Sequence, residues 1–359
     1  MRTAIAGLVS LSLLLAACSP AEETAESTTT SDPTTSSSTS STSTSTSSTT
    51  STTIDEGTPS LINGLPVTDP ALLDRRVLAV KIDNHPKATP QSGIDQADMV
   101  IELNVEGITR FITLWHQSDV DYLGPNRSGR PTDASLLAPL NEPTFVISGA
   151  QAWVQNLIRS KDINLIKEGS TGTFRISGRS APHNLYVDTF VLRETADERG
   201  YADNPPESPL WSFGPMPASS PSASQVNIEF RSNDRVIWDW DDAQGLWLRT
   251  AYDEEGLYRD EDGTENRIGV PVLIALYAEP YTASPGGGQS GTTLPASKVT
   301  GQGKAFVFAD GKVAEGTWER PDESEWFTLR TESGQTMSVP AGKSWVSIVP
   351  SNRGLSITE

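Results

Sequence analysis

The chain has 359 residues, 46 Asp+Glu against 27 Lys+Arg, and a formal net charge of −19. That balance excludes nucleic acid as a partner, since phosphate binding needs a basic surface, and it excludes a body lying flat on anionic lipid. The one cysteine, Cys18, leaves no disulfide, cysteine zinc site or thiol nucleophile in the sequence beyond it.

Arg2 precedes an apolar run from Ile5 to Ala17, long enough for a signal peptide and too short to span a bilayer. The run ends in Leu15-Ala16-Ala17-Cys18, which resembles the bacterial lipobox. Residues 1–18 are therefore expected to be a lipoprotein signal peptide, cut before Cys18. The thiol then takes a diacylglycerol and the new N-terminus a further chain such as palmitate; two or more chains make anchoring stable. Residues 19–60 form a linker. From Ser27 to Thr53 it is Ser and Thr broken only by Asp32 and Pro33, with nothing to bury, and is expected to be a disordered spacer. Its r.m.s. reach is roughly 35 Å. The expected location is extracytoplasmic, on the outer face of the cell membrane, with the membrane as partner through the lipid.

Residues 61–202 mix strands and helices. Val77–Ile82, Met99–Leu103, Ile108–Trp115 and Thr144–Ile147 read as buried strands. Asp133–Leu140, with Thr132 or Asp133 as cap, Gln151–Arg159 and Thr189–Arg199 read as helices. This predicts an α/β or α+β domain with a mixed sheet. Residues 203–224 hold six prolines with Trp211 and Phe213 among them, and read as a connector. Residues 225–359 turn to short strands, with alternation around Trp238 and a hairpin signal at Asp310-Gly311, and predict a mainly β domain. Its tryptophans read as core.

Four segments of the first domain concentrate polar side chains: Lys81–Gly93, Glu102–Arg110, Gly124–Asp133 and Arg175–Tyr186. The stretches IDNHPKATPQSG, VEGITRF, GPNRSGRPTD and APHNLY within them resemble, in order, the YerB-like family of bacterial lipoproteins, a two-domain family of unknown function. The resemblance runs from about Asn63 to Tyr186 and more loosely through GKSWVSIVP, Gly342 to Pro350. Ile108 and Ile101 depart from the family pattern without altering a charged position. The resemblance implies lipid anchoring and two domains; it supplies no activity and no catalytic residues.

Function is thus read from the residues. Arg127, Arg130 and Arg179 offer planar forks suited to carboxylates or phosphates, in loops of an acidic chain. With His183 and Asn184 they are expected to line one pocket binding an anionic cell-envelope ligand. The bland reading is that these arginines pair with Asp83, Glu102, Glu106 and Asp133 to brace loops. The alternative function is a cell-wall glycan hydrolase drawing on Asp83, Glu102, Glu106 and His183. The three histidines lack zinc-ligand spacing, and no GxSxG, GxxxxGK[ST] or GxGxxG motif occurs, so no metal or cofactor is implied.

Overall fold

A computed structural model describes residues 57–232, 234–252 and 254–359. The signal peptide, Cys18 and the linker up to residue 56 lie outside the described residues.

The unbroken apolar runs become central strands because both of their faces are covered. In chain order the main elements of the first half are β1 (Leu78–Ile82), β2 (Met99–Asn104), β3 (Thr109–Trp115), α1 (Pro131–Leu137), β4 (Thr144–Ile147), α2 (Ala152–Arg159), β5 (Asn164–Lys167) and α3 (Thr189–Glu198). In the second half follow β6 (Gln225–Arg231), β7 (Asp234–Asp241), β8 (Leu246–Ala251), β9 (Val272–Ala283) and β10 (Leu294–Lys298). The last are β11 (Gly301–Ala309), β12 (Lys312–Arg320), β13 (Thr328–Thr331), β14 (Ser344–Pro350) and β15 (Leu355–Thr358).

An 11-stranded sheet runs β13-β12-β11-β9-β14-β2-β3-β1-β4-β5, with β10 beside the outer half of β9. It crosses from one half of the chain to the other where β14 pairs in parallel with β2, from Ser344 opposite Met99 to Ile348 opposite Leu103. Alternate residues of each strand face opposite ways. Ala79, Ile101 and Ile112 join a core with Leu136 and Leu137 of α1 and Val154 and Ile158 of α2. Val80, Val100 and Phe111 join a second core with Val226, Ile228, Trp238 and Trp247 of the smaller sheet β8-β7-β6-β15. Each buried Val, Leu, Ile or Phe among these stabilises the fold by roughly 1.5–3 kcal/mol.

The fold is mostly sheet with few helices, and the second half is mainly β. The helical share expected of the first half is only partly met. The three α-helices of the described residues hold 7, 8 and 10 residues. The reason is physical: the second sheet covers a face that a self-contained α/β domain would cover with helices. Helix α1 starts at Pro131, earlier than Asp133. Arg130 is its N-cap residue, and Asp133 reaches back to accept from the Arg130 N–H at 2.7 Å. Helix α3 starts as read, the Asp188 side chain accepting from Val191 N–H at 3.1 Å. Trp211 packs edge-on against Trp326 with ring centroids 5.7 Å apart. Asp310 and Gly311 take φ of 52° and 65°, as a two-residue hairpin turn requires. Trp238, Trp247, Trp318 and Trp345 are fully buried and form core.

Candidate functional site

Strands β1 and β4 pair in parallel, and β3 lies antiparallel between β1 and β2. The chain after β1, β2 and β4 therefore emerges at one end of the sheet. Strand β1 leads into Asp83, β2 turns through Glu106 into β3, and β4 leads into Ser148. The segment Gly124–Arg130 is laid along that end. Asn126 Nδ2 donates to Lys81 O at 2.8 Å and to Val146 O at 3.1 Å, so one buried amide bridges the separating ends of β1 and β4. Arg127 N–H donates to Lys81 O at 2.8 Å and Ser148 N–H to Arg127 O at 3.1 Å. The fourth segment joins through Asn126 N–H, which donates to Leu185 O at 2.6 Å.

Two ion-pair groups result. In the first, Asp83 is fully buried; its Oδ2 meets His183 Nδ1 at 2.8 Å and lies 3.2 Å from Arg127 Nε as an ion pair. The His85 ring stacks on His183, centroids 4.6 Å apart. In the second, Glu106 takes Arg130 Nε at 2.7 Å and Arg110 Nη2 at 3.9 Å. Arg110 and Arg130 also both donate to Ser128 O. Beneath them lies a fully buried pair, Lys81 Nζ and Asp133 Oδ1, at 2.7 Å.

These groups share one field. Burial pulls the Lys81 ammonium down to about 8 against the charge and hydrogen bond of Asp133, with Arg110 and Arg130 adding to the fall. Burial, then the charge of Arg130, pulls the Arg110 guanidinium down to about 10. Burial pushes the Glu106 carboxyl up, but Arg130 and Arg110 outweigh it and leave the group below the usual carboxylate range. Four cations (Lys81, Arg110, Arg127, Arg130) thus face three carboxylates (Asp83, Glu106, Asp133). Among the described residues, Arg127 Nη1 and Nη2 and His183 Nε2 take no partner, and the Arg127 side chain is 22% exposed. An anion can meet that fork.

The geometry brings together Asp83, Glu106, Arg127, Arg130 and His183. It leaves three other expected residues outside that group. Arg179 donates to Ala88 O at 2.6 Å and to Pro90 O, so its fork clamps the loop after His85. Asn184 holds its own hairpin, accepting from Arg175 and donating to Ile176 O at 3.0 Å. Glu102 is fully buried; its Oε1 accepts from Thr109 Oγ1 at 2.7 Å and Arg249 Nη2 at 2.8 Å, and its Oε2 from Trp345 Nε1 at 2.9 Å. It joins the two halves of the chain through Arg249, which lies within 5.2–5.9 Å of the ring centres of Phe111, Trp238 and Trp345.

Sequence reasoning missed Lys81 and Arg110 as members of the site. The signal was present: a lone charge in an apolar strand that must be buried demands a partner nearby. Arg249 gave no such signal, because its partner lies 147 residues away. His85 Nδ1 accepts from Lys87 N–H and His183 Nδ1 meets Asp83, so neither ring offers that nitrogen. No cluster of three His, Cys, Asp or Glu fit to hold a metal ion occurs among the described residues.

Comparisons with known proteins agree with this architecture. Residues 62–202 match the family described as "Protein of unknown function (DUF3048) N-terminal domain", and residues 226–346 match its C-terminal domain. A relative named "Putative lipoprotein YerB", from Bacillus subtilis (strain 168), is 25% identical over 301 residues, covering 81% of this chain and 86% of the relative. The crystal structure of YerB protein from Bacillus subtilis superposes with a TM-score of 0.71 at 25% identity, covering 84% of this chain and 99% of that one. With both domains matched in order, the chain belongs to the YerB-like two-domain family.

Proposed function

We propose that this protein is a lipoprotein on the outer face of the cell membrane, anchored through Cys18 and held off the bilayer by residues 19–60. Its folded part, a domain at 61–202 and one at 225–359 joined by the connector 203–224, binds an anionic envelope ligand at the Arg127 edge. A peptidoglycan stem carboxylate or a wall phosphate has the required chemistry. The lipobox and the lipoprotein name of the Bacillus relative support the anchor. No helix of the described residues is long and apolar enough to cross a membrane.

The observation that carries the ligand reading is the unpartnered Arg127 fork in a cluster with one more cation than carboxylates, on a chain of net charge −19. Such a local excess in an acidic protein draws an anion to that place rather than to the surface at large. Glycan hydrolysis has less support. Glu102 is engaged by Arg249, Thr109 and Trp345, and Asp83 by Arg127 and His183, so neither carboxylate is free to protonate a leaving group.

Two experiments test the proposal. Cys18→Ser should move the protein from the membrane to the soluble fraction; retention in the membrane to the native extent contradicts the anchor. Arg127→Ala should abolish the binding of purified wall polymer by the full chain, and Arg127→Lys should weaken it, because Lys keeps the charge and loses the fork. Unchanged binding in Arg127→Ala contradicts the ligand site.

A further inference from the structure

The hydrogen bonds at the open edge fix the tautomers of two stacked rings. Asp83 Oδ2 lies against both Arg127 Nε and His183 Nδ1, and a carboxylate oxygen accepts, so His183 carries its proton on Nδ1 and keeps a lone pair at Nε2. His85 Nδ1 accepts from Lys87 N–H at 3.1 Å, so His85 keeps its proton on Nε2. The Arg127 fork and the His183 tip are thus held by the same carboxylate oxygen, Asp83 Oδ2. One side chain is built to receive an anion. The other, when neutral, presents a lone pair that an anion repels.

We propose that the anion site is proton-coupled: an oxyanion on the Arg127 fork completes its contact with His183 only when Nε2 holds a proton between ring and ligand. The inference rests on the anion-binding reading above and names its chemistry further. A carboxylate that grips the Arg127 fork in two-point fashion uses both of its oxygens. A tetrahedral phosphoryl or sulfuryl group has a third oxygen for the imidazole, and is the class of ligand assigned here.

The charged and titratable groups around His183 include Asp83 and Arg127, Arg110 whose charge acts on both, His85 stacked on it, Lys87 beside His85, and Arg179 on its own segment. His85 does not compete for the proton. Desolvation, then the charge of a protonated His183, holds it below the ordinary imidazole range. Burial pulls Lys81 down to about 8, and it is sealed against Asp133.

Sulfate is the probe, because it carries no proton of its own in this range. The full chain is titrated with sulfate at pH 7 and pH 8, and calorimetry in two buffers of different ionisation enthalpy counts the protons taken up. Affinity is expected to rise, approaching about tenfold, on going from pH 8 to pH 7, with uptake approaching one proton. His183→Gln should bind sulfate more weakly and lose both the pH slope and the uptake. If the slope persists in His183→Gln, the proton goes elsewhere, Lys81 included, and the inference is overturned. Should His183→Gln fail to fold, the His183 ring signal of the native chain decides: sulfate must convert it to the imidazolium form. Sulfate binding with no pH slope and no uptake overturns the inference while the anion reading stands. Acetate binding with the same uptake overturns the ligand class. No sulfate binding that depends on Arg127 overturns both.

Discussion

The two ends of strands β1, β2 and β3 carry the same residue types and use them differently. At the end opposite Asp83, Asp98 accepts from the backbone N–H groups of His116, Gln117 and Ser118 at 2.6, 3.0 and 3.4 Å. Asp119 takes Arg75 and Arg193, both at 2.8 Å. Arg193 adds donations to Arg76 O and Trp115 O, and Arg76 donates to Asp197, Tyr201 O and Ala202 O. Each of those guanidinium groups is engaged at both ends of its fork. At the Asp83 end, Arg127 is held by Nε alone and His183 by Nδ1 alone. Arginine content therefore says little about binding. What separates a brace from a receptor is whether donors remain after the fold has used what it needs.

The largest expected effect tests whether the open end is nonetheless firmly built. Asp133→Ala strands the fully buried Lys81 and removes the acceptor of the Arg130 N–H. It should cost roughly 3–5 kcal/mol in denaturant unfolding. A loss under about 1 kcal/mol would mean that the cluster is loose rather than poised.

Next is the acid response of the closed end. His116 is fully buried, its Nε2 donating to Arg75 O at 3.0 Å, and burial pulls its pKa down to about 4. The folded value lies below the unfolded one of about 6.5, so the unfolded chain takes up the proton first. The contribution is fully present above about pH 6.5 and is lost as the pH falls towards 4, by roughly 2–3 kcal/mol. Unfolding titrations from pH 7 to pH 4 should show that slope, and His116→Gln should flatten it. An equal slope in the variant would place the acid sensitivity elsewhere.

The smallest pair of effects addresses the comparison itself. Arg193→Met removes donations to Asp119, Arg76 O and Trp115 O and should destabilise by about 1–3 kcal/mol. Arg127→Met leaves the buried Asp83 its contacts with His183 Nδ1 and the His85 N–H and should cost less than Arg193→Met. Equal losses at the two positions would erase the distinction between a sealed edge and an open one.

Much of this was legible in the sequence, and the gaps have physical causes. Period and capping located β1, β4 and α3, because burial on both faces and a side-chain cap are local facts. The starting point of α1 was misplaced because Pro131 suits a first helical position and the cap lies before it. The joining of the halves through β14 and β2 was not legible, since nothing in an apolar strand names its neighbour. The polar segments were found, yet Arg179 and Arg127 look alike in sequence. Only the backbone carbonyls of Ala88 and Pro90 distinguish a clamp from a free fork.

The most direct test of the open-edge account is an NMR titration of the arginine side chains of the full chain with inorganic phosphate at constant pH. The account predicts that the Arg127 guanidinium signals shift first and saturate, while those of Arg75, Arg76 and Arg193 stay in place. Shifts spread evenly over all arginines, or an Arg127 signal that does not move, would contradict it.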